Sequence, residues 1–304
     1  MNTTTNPLPR VTLITPAYNQ AQFLAETIDS VLAQDYPNLE YLVLDDGSTD
    51  DTPDVLARYG TRLQHQRQEN QGQAATLNRG WAMASGELLG YLSSDDKLTP
   101  GAVLALVHAL QSNPDAVVAY GDFDLIDVGG MPFRTCHTEE FDGDRLSIEL
   151  VCQPGPGALF RRAAFEAAGG WSPALRQTPD FEFWLRVARL GPFVRVPQRV
   201  AQYRVHEGSA SFAVVKPERS DEIVHVMQKY WSGTDDPRSR RSIAKAHLVA
   251  ARSHGQSGRI QHAASHWAAA MKLAPRAALA PAPLRTLLSG LVRRPLHRLL
   301  GRAA

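Results

Sequence analysis

Two acidic clusters follow two apolar segments of this chain, and their residue types suit a divalent cation and a polyphosphate. The first is Asp45–Asp50, after Leu39–Leu44, and the second is Ser93–Asp96, after Leu88–Leu92. Adjacent carboxylates repel each other unless a cation or hydrogen-bond donors compensate for their charge. Mg²⁺ and Mn²⁺ are typically held by one or two carboxylates together with substrate phosphates. A cation site is therefore predicted at the second cluster. The alternative is that Asp95 and Asp96 only cap the next helix.

The first cluster could also recognise a base. Gly47 permits a tight turn, and a carboxylate such as Asp46 can accept the imide N–H of a uracil or thymine. The alternative, an N-cap, explains one aspartate but not the pair before the glycine. Pro16, Tyr18 and Asn19 follow another apolar run, where a tyrosine can stack on a base or pack on the following helix.

A glycine-bearing turn into a helix spans Asn70–Gly80 and includes Gly72 and Asn78. Such a turn presents backbone N–H groups and side-chain amides to a nucleotide, although an ordinary strand–helix connection explains it equally well.

Two later segments hold further candidates. Asp180 lies among apolar residues at the predicted start of a helix, where burial raises the pKa of a carboxyl group and suits a general base. The alternative is again an N-cap. Arg204 and His206 add a cation and an imidazole near a strand end, against the alternative of a surface loop.

The elements that must position these residues alternate between strand and helix over about 120 residues. This alternation predicts an α/β fold with a parallel, doubly wound sheet, in which ligands bind at the carboxyl ends of the strands. The predicted strands are Val11–Thr15, Leu39–Leu44, Leu63–Gln66, Leu88–Leu92 and Ala116–Tyr120, and the predicted helices are Gln20–Gln34, Thr49–Tyr59, Gln73–Ala84 and Gly101–Gln111.

The alternation of predicted strands and helices ends after Gly121. Phe123–Val128 and Met131–Cys136 predict a hairpin, and Phe193–Val196 and Val200–Val205 predict strands on either side of Pro197. From Glu218 onward the pattern is helical.

Composition narrows the class of protein. No stretch approaches 18 consecutive apolar residues, and residues 1–10 lack the apolar run of a signal peptide. The two cysteines have no metal-ligand spacing, so we expect a reduced, cytoplasmic location. Residues 237–304 hold 13 of the 32 Lys and Arg residues and none of the 31 acids, so the body before them is acidic. Because that body repels phosphates, no nucleic-acid partner is predicted.

The ordered set of motifs resembles glycosyltransferase family 2, whose members have the GT-A fold. The motifs are Thr15–Asn19, Asp45–Asp50, Asn70–Gly80, Ser93–Asp96, Gly169–Trp171, Asp180–Arg186 and Tyr203–His206. The resemblance implies a GT-A domain over 1–212, with a donor half over about 10–121 and an acceptor half over about 122–212. A basic helical extension over 213–304 follows.

The resemblance also implies an activity. A family member of this kind is an inverting, metal-dependent enzyme that moves a sugar from a nucleotide diphosphate, with UDP or dTDP favoured, to a hydroxyl of a glycan or lipid-linked acceptor. Cell-surface polysaccharide biosynthesis is the expected setting.

Site roles follow from the same resemblance, residue by residue. Asp180 matches the family's catalytic base, while Asp95 and His206 are the expected ligands of Mn²⁺ or Mg²⁺. The expected donor-binding residues are Pro16, Tyr18, Asn19, Asp46, Gly72, Asn78, Ser94, Asp96 and Arg204. Ser93 replaces the first acid of the family's D-x-D motif, which puts metal affinity in question.

Two other functions stay open. A nucleotide-sugar binding module without catalysis is favoured by Ser93 and opposed by Asp180 and His206. A sugar-phosphate nucleotidyltransferase would need a basic, glycine-rich loop after the first strand, and residues 16–21 contain no Lys or Arg. In the tail, leucines and arginines over 284–302 have the spacing of a basic amphipathic helix, which suits peripheral contact with the inner face of the membrane or packing on the catalytic domain.

Overall fold

The computed structural model describes residues 8–209 and 216–279, which form two compact units. The first unit comprises residues 8–141 and 152–209, and the second comprises 142–151 and 216–279. The segment 142–151 therefore belongs to the helical unit, although the sequence analysis placed it in the catalytic domain.

The first unit is built on one mixed sheet. Its strand order is β3-β2-β1-β4-β8-β6-β9-β5, with β7 paired to β6. The strands are β1 (Val11–Ala17), β2 (Leu39–Asp45), β3 (Gln64–Arg67), β4 (Leu88–Tyr91), β5 (Lys97–Leu98), β6 (Val118–Ile126), β7 (Pro132–Cys136), β8 (Leu159–Arg161) and β9 (Phe193–Arg204).

The part of the sheet formed by β1 to β4 is parallel, as predicted. β1 pairs in parallel with β2 and β4, and β2 pairs in parallel with β3. Every residue of β1 is buried, because helices cover both faces of a parallel sheet of this kind. The parallel register ends the neighbouring strands together, so Ala17 lies opposite Asp45 and the polar loops after β1 and β2 meet at one edge.

Helices flank this sheet and fix its loops. α1 buries Phe23, Leu24 and Ile28 at helical spacing against the core. The helices of the first unit are α1 (Ala21–Leu32), α2 (Thr52–Ala57), α3 (Gln73–Met83), α4 (Ala102–Ser112), α6 (Arg162–Ala168) and α7 (Pro179–Val187), with α5 (Gly143–Ser147) in the second unit.

Two pairs of predicted strands are each one strand in the structure. β6 runs through Gly121 and then pairs antiparallel with β7, which confirms the hairpin but joins it to the strand before it. β9 likewise continues through Pro197. The pairing of β6 with β9 shifts register around Asp122, so an irregularity absorbs the proline without ending the strand.

The second unit is helical, in agreement with the pattern after Glu218. With α5 it contains α8 (Pro217–Tyr230), α9 (Arg238–Gln256), α10 (Ile260–Leu273) and α11 (Pro275–Ala278). Among the residues that the structure describes, no helix has the length and apolar character needed to cross a membrane. The stripe predicted over 284–302 lies outside the described residues.

Candidate active site

The turn after β4 holds Asp95 and Asp96, whose carboxylates have different surroundings. Asp96 is 2% exposed, and its Oδ1 accepts a hydrogen bond from the backbone N–H of Arg204 at 2.9 Å. Its backbone carbonyl accepts a hydrogen bond from the Thr27 hydroxyl at 2.7 Å. Burial and, next, the charge of Asp95 raise the pKa of Asp96 well above its ordinary value. Asp96 therefore ties the turn to α1 and β9, and its donor contact stays a prediction.

Arg204, at the end of β9, holds the same turn in place. Its Nε donates to the carbonyl of Asp95 at 2.9 Å, and its Nη1 donates to the carbonyls of Asp127 and Val128 at 3.1 and 3.0 Å. Its Nη2 donates to Glu26 Oε2 at 2.9 Å. Because the side chain is fully buried and these groups bind the protein, the contacts favour a positioning role over the predicted donor contact.

His206 and Asp95 form the most distinctive pair of the site. His206 Nε2 lies 3.0 Å from Asp95 Oδ2, and the two side chains are 8% and 17% exposed. The Phe23 ring packs on the imidazole with centroids 4.8 Å apart, and Ser209 Oγ accepts a hydrogen bond from the His206 backbone N–H. A carboxylate suits Mg²⁺ or Mn²⁺, and a ring nitrogen suits a transition metal such as Mn²⁺ better than it suits Mg²⁺. The donor set therefore fits a divalent cation.

Asp46 organises the loop before α3. Its Oδ1 accepts hydrogen bonds from Gln68 Nε2 at 2.8 Å and from the Gln71 N–H at 2.9 Å. Its Oδ2 accepts a hydrogen bond from the Gly72 N–H at 2.7 Å. Both oxygens are thus used inside the protein, and a contact of Asp46 with the base stays a prediction.

Asp45 has the less satisfied carboxylate of this cluster. Its Oδ1 accepts a hydrogen bond from the Ser48 N–H, whereas its buried Oδ2 has no hydrogen-bond partner among the described residues. Arg67 places its Nε 3.6 Å from that oxygen, beyond hydrogen-bond distance. A buried acceptor without a partner is costly, so Asp45 is a candidate for an incoming N–H that the sequence analysis did not single out.

The loop after β1 contains Tyr18, whose ring is exposed, and Asn19, whose amide holds two loops together. Pro16 is buried in the strand, whereas Tyr18 is 48% exposed, which leaves its ring available for stacking. Asn19 adopts a left-handed φ of 52°, and its Oδ1 accepts a hydrogen bond from the Thr49 N–H at 2.7 Å. Its own N–H donates to Ser48 Oγ at 3.0 Å, so Asn19 joins the loops that follow β1 and β2.

Asn78 and Gly72 also have identifiable structural roles. The Asn78 amide donates to the Trp171 carbonyl at 2.7 Å and accepts from the Trp171 N–H at 2.8 Å, which fastens α3 to the segment Gly169–Trp171. Gly72 has a φ of 85°, and a Cβ there would lie 1.6 Å from Arg176 Nη1. These contacts explain both residues without a ligand, and their donor contacts stay predictions.

Asp180 lies in the first turn of α7, beside the end of β4. Its Oδ1 accepts a hydrogen bond from the Phe181 N–H at 2.8 Å. Burial raises the pKa of Asp180, and that hydrogen bond offsets only part of the rise. The charge of Asp180, after burial itself, also raises the pKa of Tyr91, the last residue of β4. The carboxylate with the base-like environment therefore lies close to the strand that leads to Asp95.

An aromatic cluster fixes the position of α7. Phe183 stacks on Trp81 of α3 with an interplanar angle of 17°, and Trp184 packs edge-on against Phe160 of β8. The Trp81 indole N–H donates to the carbonyl of Gly90 in β4. Packing of this kind holds the first turn of α7, and with it Asp180, at a defined place relative to β4.

The structure thus gathers the predicted donor-binding and metal-binding residues into two groups. Ser94, which is buried, joins Asp95, Asp96, Arg204 and His206 around the ends of β4 and β9, while Pro16, Tyr18, Asn19, Asp46, Gly72 and Asn78 surround the loops after β1 and β2. Sequence reasoning missed Glu26 and Thr27, because residues on α1 carry no local signal of a contact with Arg204 or Asp96.

The family is decided by a sequence profile. The profile described as "Glycosyl transferase family 2" matches residues 12–169, more than half of the chain. The chain belongs to glycosyl transferase family 2. The matched region contains the sheet from β1 to β8 and the Asp95 turn, whereas Asp180 and His206 lie beyond it.

Curated relatives agree with this assignment. An "Uncharacterized glycosyltransferase" of Rickettsia felis is 33% identical over 194 residues, which cover 60% of this chain and 32% of the relative. The "Hyaluronan synthase" of Pasteurella multocida is 26% identical over 227 residues, 73% of this chain and 23% of the relative. The chain therefore spans about a third or less of the length of these two relatives.

Solved structures agree on the fold. A mannosyltransferase of Pyrobaculum calidifontis, in complex with GDP-Man and Mn²⁺, matches with a TM-score of 0.61 and 21% identity, over 95% of this chain and 87% of that chain. S. aureus TarS 1-349, in complex with UDP-GlcNAc, matches with a TM-score of 0.59 and 16% identity, over 84% and 88%. The fold is of the GT-A type, as predicted.

Proposed function

We propose that this chain is an inverting, metal-dependent glycosyltransferase. It moves a sugar from a nucleotide diphosphate donor, with UDP or dTDP favoured, to a hydroxyl of a glycan or lipid-linked acceptor. The observation that carries the proposal is the pairing of Asp95 with His206 at 3.0 Å, at the carboxyl end of β4. Ligands of open α/β sheets bind at this edge.

Asp95 and His206 would hold the divalent cation, with Mn²⁺ favoured by the nitrogen ligand. When bound, such a cation stabilises the negative charge that grows on the departing nucleotide diphosphate. Arg204 of β9 keeps the Asp95 turn in one geometry, since its backbone N–H binds the Asp96 carboxylate and its guanidinium binds the Asp95 carbonyl. The mannosyltransferase complex with Mn²⁺ supports this assignment at the level of the fold.

Other residues of the protein then bind the base of the donor and take the proton of the acceptor. The exposed ring of Tyr18 stacks on the base, and the Asp45–Asp46 cluster accepts a base N–H. Asp180 accepts the proton of the acceptor hydroxyl that attacks the anomeric carbon on the face opposite the diphosphate. A positioned base of this kind typically contributes about 10²–10⁴ in rate. The raised pKa of Asp180 supports the role, because a base works best with a pKa near the working pH.

The non-catalytic alternative keeps one favourable observation, Ser93 at the first position of the D-x-D motif. The raised pKa of Asp180 speaks against it, since a binding module has no need of a desolvated carboxylate. The nucleotidyltransferase alternative loses support because the loop after β1 binds the Ser48–Thr49 loop through Asn19 and contains no basic residue.

The acceptor, the polysaccharide setting and the cytoplasmic, membrane-peripheral location remain parts of this proposal. The hyaluronan synthase similarity supports a polysaccharide setting, because that relative is named for making a glycan. Membrane contact rests on the sequence of 284–302 alone and is tested by vesicle sedimentation of the full chain and of a chain that ends near Pro283. Equal binding by both would contradict it.

The test of the function is a donor screen. Purified protein is incubated with UDP-, dTDP- and GDP-sugars in Mn²⁺, in Mg²⁺ and in a chelator, and donor hydrolysis and thermal shift are measured. We expect hydrolysis of at least one pyrimidine nucleotide sugar that requires the cation and is lost in Asp180→Asn. Thermal stabilisation by donors without turnover in any condition would favour the binding module instead.

A further inference from the structure

Three helices of the second unit bring a carboxylate and two imidazoles to one point. Asp221 of α8, His254 of α9 and His266 of α10 each offer one ligand atom, and these atoms lie within 4.8 Å of one another. The Nε2 atoms of His254 and His266 lie 2.7 and 3.0 Å from the same oxygen, Asp221 Oδ1. We propose that this triad is a second metal site, separate from the catalytic one, that binds Zn²⁺.

The donor set carries the choice of metal. Two imidazole nitrogens and one carboxylate oxygen are ligands that Zn²⁺ takes, with a fourth position for water or another group. Zn–N and Zn–O bonds of about 2.0–2.2 Å place tetrahedral ligand atoms roughly 3.3 Å apart. The contacts of His266 and His254 to Asp221 Oδ1, at 3.0 and 2.7 Å, need to open by about 0.3 and 0.6 Å to reach that spacing. Mg²⁺ prefers oxygen ligands and is a poor match.

A third histidine supports one of the ligands. His247 Nδ1 lies 2.9 Å from His266 Nδ1, on the side of the ring away from Asp221. A metal-bound histidine usually donates its other ring N–H to an acceptor that fixes the ring orientation. His247 is placed to accept that hydrogen bond from His266. The cluster therefore contains ligands on three helices and a partner that orients one of them.

Arg259 contacts the His254 ring at the nitrogen that does not face Asp221. Its Nε donates to His254 Nδ1 at 2.8 Å, and its Nη2 donates to Ser220 Oγ at 2.7 Å. His254 must then carry its proton on Nε2, where it donates to Asp221. Binding of a cation through Nε2 moves this proton to Nδ1 and makes Arg259 give up its bond to the ring. Arg259 and the cation therefore compete, and loss of the guanidinium should tighten metal binding.

The experiment uses the full chain, stripped with a chelator and titrated with Zn²⁺ by calorimetry and with Co²⁺ by visible absorption. The background is His206→Gln, which removes a predicted ligand of the catalytic cation. We expect one equivalent of Zn²⁺ to bind and Co²⁺ to give the intense bands of a four-coordinate site. In His206→Gln/His266→Gln the affinity should fall by at least the roughly 10- to 100-fold that loss of a ligand's supporting partner costs.

The controls separate metal binding from folding. His266 is the preferred variant because its side chain is 16% exposed, whereas His254 is fully buried and its replacement could unfold the unit. His108→Gln changes an exposed histidine of α4 in the first unit and should leave the affinity unchanged. Arg259→Gln should raise the affinity about tenfold while circular dichroism confirms the fold.

Two results would overturn the proposal. If the His206→Gln chain takes up no Zn²⁺, or if His266→Gln binds it as tightly as the background does, the cluster is a hydrogen-bonded network only. Weaker Zn²⁺ binding by folded Arg259→Gln would contradict the competition between the guanidinium and the cation.

Discussion

His206 Nε2 lies 3.0 Å from Asp95 Oδ2, although 111 residues separate the two in sequence. The contact exists because β9 ends beside the turn after β4, where the N–H of Arg204 binds Asp96 and the guanidinium of Arg204 binds the Asp95 carbonyl. A carboxylate and an imidazole at one sheet edge give the proposed cation two ligands from separate elements.

Replacement of His206 by Gln should weaken binding of the cation without disturbing the fold. The variant keeps the carboxylate of Asp95 but loses the nitrogen ligand, so we expect the Mn²⁺ concentration for half-maximal activity to rise by about tenfold or more. The measurement is turnover against Mn²⁺ concentration at saturating donor. His65→Gln, an exposed residue of β3, is the control, and a Mn²⁺ curve that matches wild type would remove His206 from the ligand set.

Replacement of Asp180 by Asn should separate binding from chemistry. The amide keeps the shape of the side chain but cannot accept the acceptor's proton, so transfer should fall by about 10²–10⁴ while donor affinity changes little. Glu182→Gln, two residues later on α7, is a matched control, because the Glu182 carboxylate binds Arg186. Asp180→Asn with wild-type turnover would exclude Asp180 as the base.

The fall of kcat at low pH should follow the protonation of Asp180. Burial raises its pKa above the ordinary value of 3.8, and a base acts only when deprotonated, so kcat should fall as the pH drops through the raised pKa. The stability of the fold should depend on pH in the opposite direction. A raised pKa means that the folded state favours protonated Asp180, so the contribution of this group to the free energy of unfolding is lost as the pH rises through that pKa.

This profile is measured as kcat at saturating donor and cation. In Asp180→Asn the residual kcat should no longer fall at low pH. If the same fall persists in the variant, it is caused by protonation of another group.

Replacement of Arg204 by Met should destabilise the protein more than a surface arginine does. The change removes a buried guanidinium that binds Glu26 and three backbone carbonyls, and a buried acceptor left without its donor typically costs about 1–3 kcal/mol. The measurement is urea unfolding, with Arg58→Met, at an exposed position, expected within about 0.5 kcal/mol of wild type. Equal unfolding midpoints for the two variants would contradict the anchoring role of Arg204.

The sequence predicted what depends on local pattern. The apolar run before Asp45 and the helical spacing of Phe23, Leu24 and Ile28 are local, and the structure has β2 and α1 there. The strand breaks expected near Gly121 and Pro197 were wrong. Pairing between β6 and β9 carries both strands through those residues, and that pairing is a property of the folded sheet.

The contacts within the site depend on tertiary structure. The Arg204–Glu26 bond joins residues 178 apart, so nothing near either residue predicts that the arginine is buried. The sequence likewise treats Asp45 and Asp46 alike. Only the fold shows that Asp46 binds the loop before α3, while Asp45 keeps a buried oxygen without a hydrogen-bond partner among the described residues.

Calorimetric titration of UDP into the full chain tests the central claim most directly. With saturating Mn²⁺ we expect UDP to bind to wild type, and we expect the affinity to fall at least tenfold in a chelator and in Asp95→Asn. UDP binding of equal strength in all three conditions would contradict a cation held by Asp95 and His206, as would no binding to wild type in Mn²⁺.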